Sequence, residues 1–178
     1  RGRRDRAVSR PDRSEYAEYY DTYVSLVPDG DIVEMLEDQL PETRALLDAV
    51  PPERERWAYA EGKWTIREVV GHLMDAERVF AGRALWIARD PETVLPSMEQ
   101  DRWAERSNAG ARPLTDLLDE WETIRRATVA MARSFDAAAL ERTGIASGVR
   151  FTVRSFPWII AGHELHHRRL FRERYGLG

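Results

Sequence analysis

At 178 residues with 43% hydrophobic content, the chain is long enough for one domain with a substantial core, or at most one domain plus a short arm. It contains no cysteine, which excludes a disulfide framework, a thiolate zinc cluster and a cysteine nucleophile, so any thiol chemistry must take its thiol from outside. The formal charge of −4 is unevenly divided: residues 1–13 carry six arginines against Asp5 and Asp12, leaving an acidic body of −8 that argues against a nucleic-acid surface.

In chain order, residues 1–13 read as a disordered basic arm and residues 14–178 as a single domain with its core over about 30–175. A tyrosine-rich lead-in (Tyr16, Tyr19, Tyr20, Tyr23) closes at Pro28-Asp29-Gly30. The segment Asp31–Val50 then places Ile32, Val33, Leu36, Leu40 and Leu47 at helical spacing, with Asp31 as N-cap, a kink expected at Pro41, and Pro51-Pro52 as the stop.

A second helix is predicted from Thr65, whose spacing to Glu68 is that of a capping box, to about Asp90 before Pro91. Its buried stripe comprises Val69, Leu73, Ala76, Phe80 and Ile87, with His72 at the edge. Residues Pro91–Pro113 show no sustained period and read as a long connection. Fully extended, such a segment reaches up to roughly 70 Å, so it can traverse a bundle and start the third helix parallel to the second.

The third helix takes Pro113 in its first turn and carries Leu114, Leu117, Leu118, Trp121, Ile124, Thr128 and Met131, ending near Phe135 or Leu140. The Gly144–Gly148 run and the alternation over Val149–Arg154 predict a turn and a short hairpin. A fourth helix follows from Thr152 or Ser155 to Tyr175, with Gly176 as its C-terminal stop. Four amphipathic helices imply an all-α four-helix bundle, and the long second connection favours up-down-down-up topology. No apolar run approaches the roughly 20 residues of a membrane helix, the longest being about Phe156–Gly162, and there is no apolar signal core, so a soluble cytoplasmic protein with no membrane partner is expected.

Three of the four histidines can converge. On the fourth helix, Phe156, Ile159, Ile160, His167 and Leu170 all lie within about 60° of His163, which puts His163 near the middle of the apolar stripe. His163 and His167 then form an i, i+4 chelate, with His166 at the margin as the alternate. His72 lies seven residues from the predicted start of the second helix and His167 eight from the predicted end of the fourth, so antiparallel neighbours bring them nearly level. Three neutral imidazoles suit a divalent transition metal, Zn²⁺ or Ni²⁺, and leave positions open for water or substrate. Glu164, Asp75 and Glu68 are candidates to orient the rings, and Trp64, Arg102 and Trp103 to line an entrance.

The run Gly62-Lys63-Trp64-Thr65-Ile66-Arg67-Glu68-Val69-Val70-Gly71-His72-Leu73-Met74-Asp75-Ala76-Glu77, followed by Ile159-Ile160-Ala161-Gly162-His163-Glu164-Leu165-His166-His167, resembles the two signature segments of the DinB/YfiT-like superfamily. The resemblance covers roughly residues 30–175. It implies an up-down-down-up four-helix bundle, often dimeric, with a divalent metal at positions that fall on His72, His163 and His167. It further implies either a transferase or isomerase using a low-molecular-weight thiol on an electrophilic substrate, or a metal-dependent hydrolase; a non-catalytic dimeric bundle in the stress response is the third expectation.

Overall fold

The computed structural model describes residues 8–178, so the first seven residues of the expected arm lie outside the described residues. Of its other six, 8–13, Val8 and Pro11 are buried against the body and the rest are exposed. Val8 is buried and its carbonyl accepts the Trp158 Nε1 proton at 3.3 Å; the Arg10 guanidinium lies 4.4 Å from the centre of the Trp158 ring and donates through Nε to Asp29 at 2.8 Å.

The tyrosine-rich lead-in folds as two short 3₁₀ turns, Arg13–Glu15 and Glu18–Tyr20, and helix α1 (Asp21–Val24). Helix α2 (Ile32–Asp48) starts where expected, the Asp31 carboxylate accepting from the amides of Val33 and Glu34 at 2.9 and 3.3 Å, and it runs through Pro41 without interruption. Helix α3 (Ile66–Arg89) has both halves of the Thr65–Glu68 capping box. The long connection is more ordered than its lack of period suggests, because it contains helix α4 (Gln100–Arg106) and a 3₁₀ turn at Ala109–Ala111. Helix α5 (Leu114–Ser134), helix α6 (Ala137–Glu141), strands β1 (Thr143–Ala146) and β2 (Val149–Thr152) and helix α7 (Ser155–Glu173) complete the chain.

The hairpin turn places Ser147 and Gly148 at φ 54° and 76°, the left-handed region that a two-residue turn of this kind demands. Leu95 bridges to this hairpin, its amide donating to the Ile145 carbonyl at 2.9 Å, and this pins the start of the connection.

Among the long helices, α2 and α3 each pack against both α5 and α7, so the bundle is a square in which the sequence neighbours α2 and α3 are diagonal. Helices α3 and α5 start at the same end, where Arg67 Nη1 reaches the Gly110 carbonyl and Glu55 accepts from the Leu114 amide. At the far end Arg142 donates to the Ala88 carbonyl. Helix α7 runs the opposite way and ends beside the start of α3, where the Tyr175 hydroxyl donates to the Trp64 carbonyl at 2.7 Å. The expected up-down-down-up order is therefore the observed one.

Two apolar clusters fill the interior. One, around Leu36, Phe80, Phe151, Phe156 and Ile159, occupies the hairpin end; the other, around Leu47, Ile66, Leu117, Trp121 and Phe171, occupies the opposite end. Buried polar side chains from all four long helices lie along the middle: Gln39 and Thr43, His72 and Glu77, Arg125 and Thr128, and His163, Glu164 and His167.

Candidate metal centre

Antiparallel packing of α3 on α7 brings His72, His163 and His167 together. Each contributes one ring nitrogen to a group whose members all lie within 4.8 Å of one another. The residues are 4% (His72), 6% (His163) and 9% (His167) exposed, with ring centroids 4.7 to 5.1 Å apart. His72 Nε2 and His163 Nε2 are 3.1 Å apart. Two nitrogens about 2.0–2.1 Å from one tetrahedral ion would be separated by about 3.3 Å, so this pair is set at nearly the spacing an ion requires.

Electrostatics hold the rings in the ligand form. Burial pushes His72 down to about 4, offset only in part by the Asp101 carboxylate. Burial likewise holds His163 and His167 well below the usual histidine value, and the neighbouring imidazoles push the same way. All three are neutral at neutral pH, and a neutral imidazole offers a lone pair to a cation. The Nδ1 atoms of His72 and His167 are buried without a hydrogen-bond partner among the described residues. An ion held at the two Nε2 atoms would leave the His72 Nδ1 as it is, so the fit to a divalent ion rests on the facing Nε2 pair and on the neutral, buried donor set. His166 stays outside the three-histidine group; it is half-buried, its ring 5.2 Å from that of His167.

None of the three carboxylates proposed to orient the rings does so. Glu164 turns into the bundle, where it accepts from Arg125 Nη2 at 2.7 Å and from the Thr43 hydroxyl. Glu68 is spent on the Thr65 cap. Asp75, whose carboxyl is raised by burial, lines a separate depression with Arg102 and Trp103, so those two do not flank the histidines either. Trp64 does, its ring centroid 4.7 Å from that of His72.

Two openings reach the histidines. A cavity of about 230 Å³ exposes His72 and His163 and is walled by Tyr19, Tyr20 and Tyr23 of the lead-in and by Ser97, Met98 and Gln100 of the long connection. A second, of about 390 Å³, exposes His167 between Trp64, Asp101 and Tyr175. The lead-in and the connection, neither of which carries a signature motif, thus build the walls. Gly162 allows this closeness, since a Cβ there would lie 2.1 Å from the Tyr23 carbonyl oxygen.

Sequence reasoning missed a buried charge cluster directly behind the site. Arg125 donates through Nε and Nη2 to Glu77 at 2.8 and 2.9 Å, through Nη2 to Glu164, and through Nη1 to the Leu36 carbonyl at 3.0 Å. Trp121 Nε1 also donates to Glu77, at 2.8 Å. The available signal was a charged residue interrupting an apolar stripe, as Arg125 does between Trp121 and Thr128.

Fold and site together define a helical bundle with a buried three-histidine group able to hold one metal ion. The chain belongs to the DinB superfamily, whose pattern matches residues 35–171. Curated relatives include a “Putative metal-dependent hydrolase” of Geobacillus thermodenitrificans, 26% identical over 58% of this chain and 59% of the relative, and one of Geobacillus kaustophilus, 29% identical over 57% of each. The chain thus matches less than two thirds of the length of these relatives. Among solved structures, Bacillus subtilis YfiT, described as “a probable metal-dependent hydrolase with an unusual four-helix bundle topology”, superposes with a TM-score of 0.75 at 17% identity over 94% of each chain. A mycothiol-dependent maleylpyruvate isomerase superposes with a TM-score of 0.66 at 14% identity, over 82% of this chain and 61% of the other. At these identities the two structures speak to the fold.

Proposed function

We propose that the protein is a divalent-metal-dependent enzyme whose ion, Zn²⁺ or Ni²⁺, is held by His72, His163 and His167, and that it transfers an external low-molecular-weight thiol to an electrophilic substrate. The observation that carries this reading is the convergence of three buried, neutral imidazoles on one point beside a cavity. An ion held by these three histidines would leave a position open and would supply Lewis acidity to lower the pKa of a thiol or of water.

The chain's own residues do the rest. Trp64 packs on His72 and limits its rotation, while Tyr20, Tyr23 and Phe80 line the approach to the His72–His163 face. No carboxylate lines that cavity among the described residues. An acidic thiol needs no protein base once its pKa is lowered, whereas water activation usually enlists one, and this favours the thiol reading. The fold shared with a mycothiol-dependent isomerase supports it.

Water activation is the second reading. It is favoured by the names of the curated relatives and by Asp101, a carboxylate at the second opening that can take a proton near His167. Elemental analysis of natively purified protein should find one ion per chain, and His163→Ala should fold yet lose it; stoichiometric metal in that variant would remove His163 from the ligand set. Turnover of electrophiles by metal-loaded protein should require added thiol, and thiol-independent turnover would decide for the hydrolase.

A further inference from the structure

Arg83 is 5% exposed, and among the described residues it has no carboxylate partner. Its two hydrogen bonds both use Nη2 and both go to neutral acceptors, the Pro96 carbonyl at 2.8 Å and the Ser147 hydroxyl at 2.9 Å. Buried cations are normally paired, because the loss of hydration is otherwise uncompensated. By contrast Arg125, the other deeply buried arginine behind the site, is saturated by two glutamates. Nε and Nη1 of Arg83 have no protein partner among the described residues, yet neither is sealed from solvent. Arg83 lines the cavity of about 230 Å³ that exposes His72 and His163.

We propose that Arg83 binds the carboxylate of a small organic acid whose reacting end lies at the histidines; the orientation rests on the metal-site reading above. Residues 72 and 83 are eleven apart on α3, three helical turns, so they share a face with about 16 Å of axis between their Cα atoms. Between them the wall is Ala76, Val79, Phe80 and Met98. The ligand is accordingly elongated, charged at one end and apolar in the middle. One guanidinium balances one carboxylate, and the Ser147 hydroxyl, which accepts from Nη2, keeps its own proton to donate to the same anion. Ser147 is held there by the left-handed hairpin turn, in a hairpin whose strand β1 packs against α3.

The carboxylate belongs either to the electrophile or to the thiol co-reactant, and the test separates them. Hexanoate and its uncharged isostere hexanamide are titrated by calorimetry into metal-free and metal-loaded protein. Hexanoate should bind the wild type more tightly, and Arg83→Met should weaken hexanoate by about tenfold or more while leaving hexanamide unchanged. Arg83→Lys should recover part of the loss, and Ser147→Ala, which keeps the charge, should weaken hexanoate by a smaller factor should Arg83→Met not fold. Equal binding of the two probes, or hexanoate binding unchanged in the folded variants, overturns the proposal. In turnover, Arg83→Met should raise KM for the electrophile alone or for the thiol alone, according to which carries the carboxylate; a KM unchanged for both also overturns it. Because the probe titration on metal-free protein does not use the histidines, anion binding without turnover would fault the metal-enzyme reading, and turnover without anion binding would fault this one.

Discussion

Arg125→Met is the perturbation that most directly measures what holds the bundle around its site. The substitution keeps much of the side-chain volume but deletes four hydrogen bonds, two to Glu77, one to Glu164 and one to the Leu36 carbonyl. It leaves two carboxylates, at 3% and 1% residual exposure, without their cation. Arg125 itself is held charged: burial acts against its charge, but Glu164 and Glu77 more than offset that and raise its pKa. Removing one member of a buried ion group costs about 3–5 kcal/mol, because the remaining charges cannot be rehydrated in place. In a chain of this size each kcal/mol moves the melting temperature by about 2–4 °C, so a fall of about 6–20 °C is expected. The assays are urea unfolding, for the free energy, and thermal melting, for the temperature shift, of metal-free protein at neutral pH, both followed by helical circular dichroism. Arg125→Lys, whose single ammonium cannot reproduce the fork to both acids, should fall between wild type and Arg125→Met. Combining Arg125→Met with Glu77→Gln and Glu164→Gln should recover part of the loss, since no buried charge is then left unpaired. A loss below about 1 kcal/mol for Arg125→Met, the scale of an exposed pair, would refute the reasoning.

Acidification tests the histidines. The folded value of His72, about 4, lies below its unfolded value of 6.5, so the unfolded chain takes up the proton first. The stabilising contribution is therefore complete above 6.5 and is lost as pH falls towards 4, amounting to about 3 kcal/mol for this residue alone. His163 and His167, depressed in the same direction, deepen the loss, and bound metal should be released in the same window. Unfolding free energies that stay flat across that window would contradict the burial argument. Gly162→Ala would put a Cβ 2.1 Å from the Tyr23 carbonyl oxygen, so α1 must move off α7. The expected cost is about 1–3 kcal/mol with loss of the tyrosine wall, and an unchanged melting temperature would show that the approach is not rigid.

Much of this molecule follows from local rules. The period of apolar residues marks the four long helices, Asp31 and Thr65 mark two of their starts, and the i, i+4 spacing of His163 and His167 on an apolar stripe fixes that pair on one face. Level matching places His72 beside them once α3 and α7 are antiparallel, as they are. The helices, their starts and the His163–His167 pair need only neighbours within a few residues along the chain, whereas His72 joins them only through the antiparallel packing of α3 on α7. The long connection was harder to read, because α4 is only seven residues long and gives no sustained period.

What the tertiary structure alone decided is where each polar side chain points. Glu164 is adjacent to His163 in the chain, yet its carboxylate faces Arg125, 39 residues away; Glu77 meets the same guanidinium across 48 residues, and Arg83 meets Ser147 across 64. Helical periodicity assigns a side chain to a face but not to a partner, since a charge within an apolar stripe has the same phase whether it is paired or left open towards a cavity. The cost of burying that charge is settled only when the other helices arrive. For that reason the histidine cluster was visible in the sequence, while the ionic support behind it and the unpaired arginine above it were not.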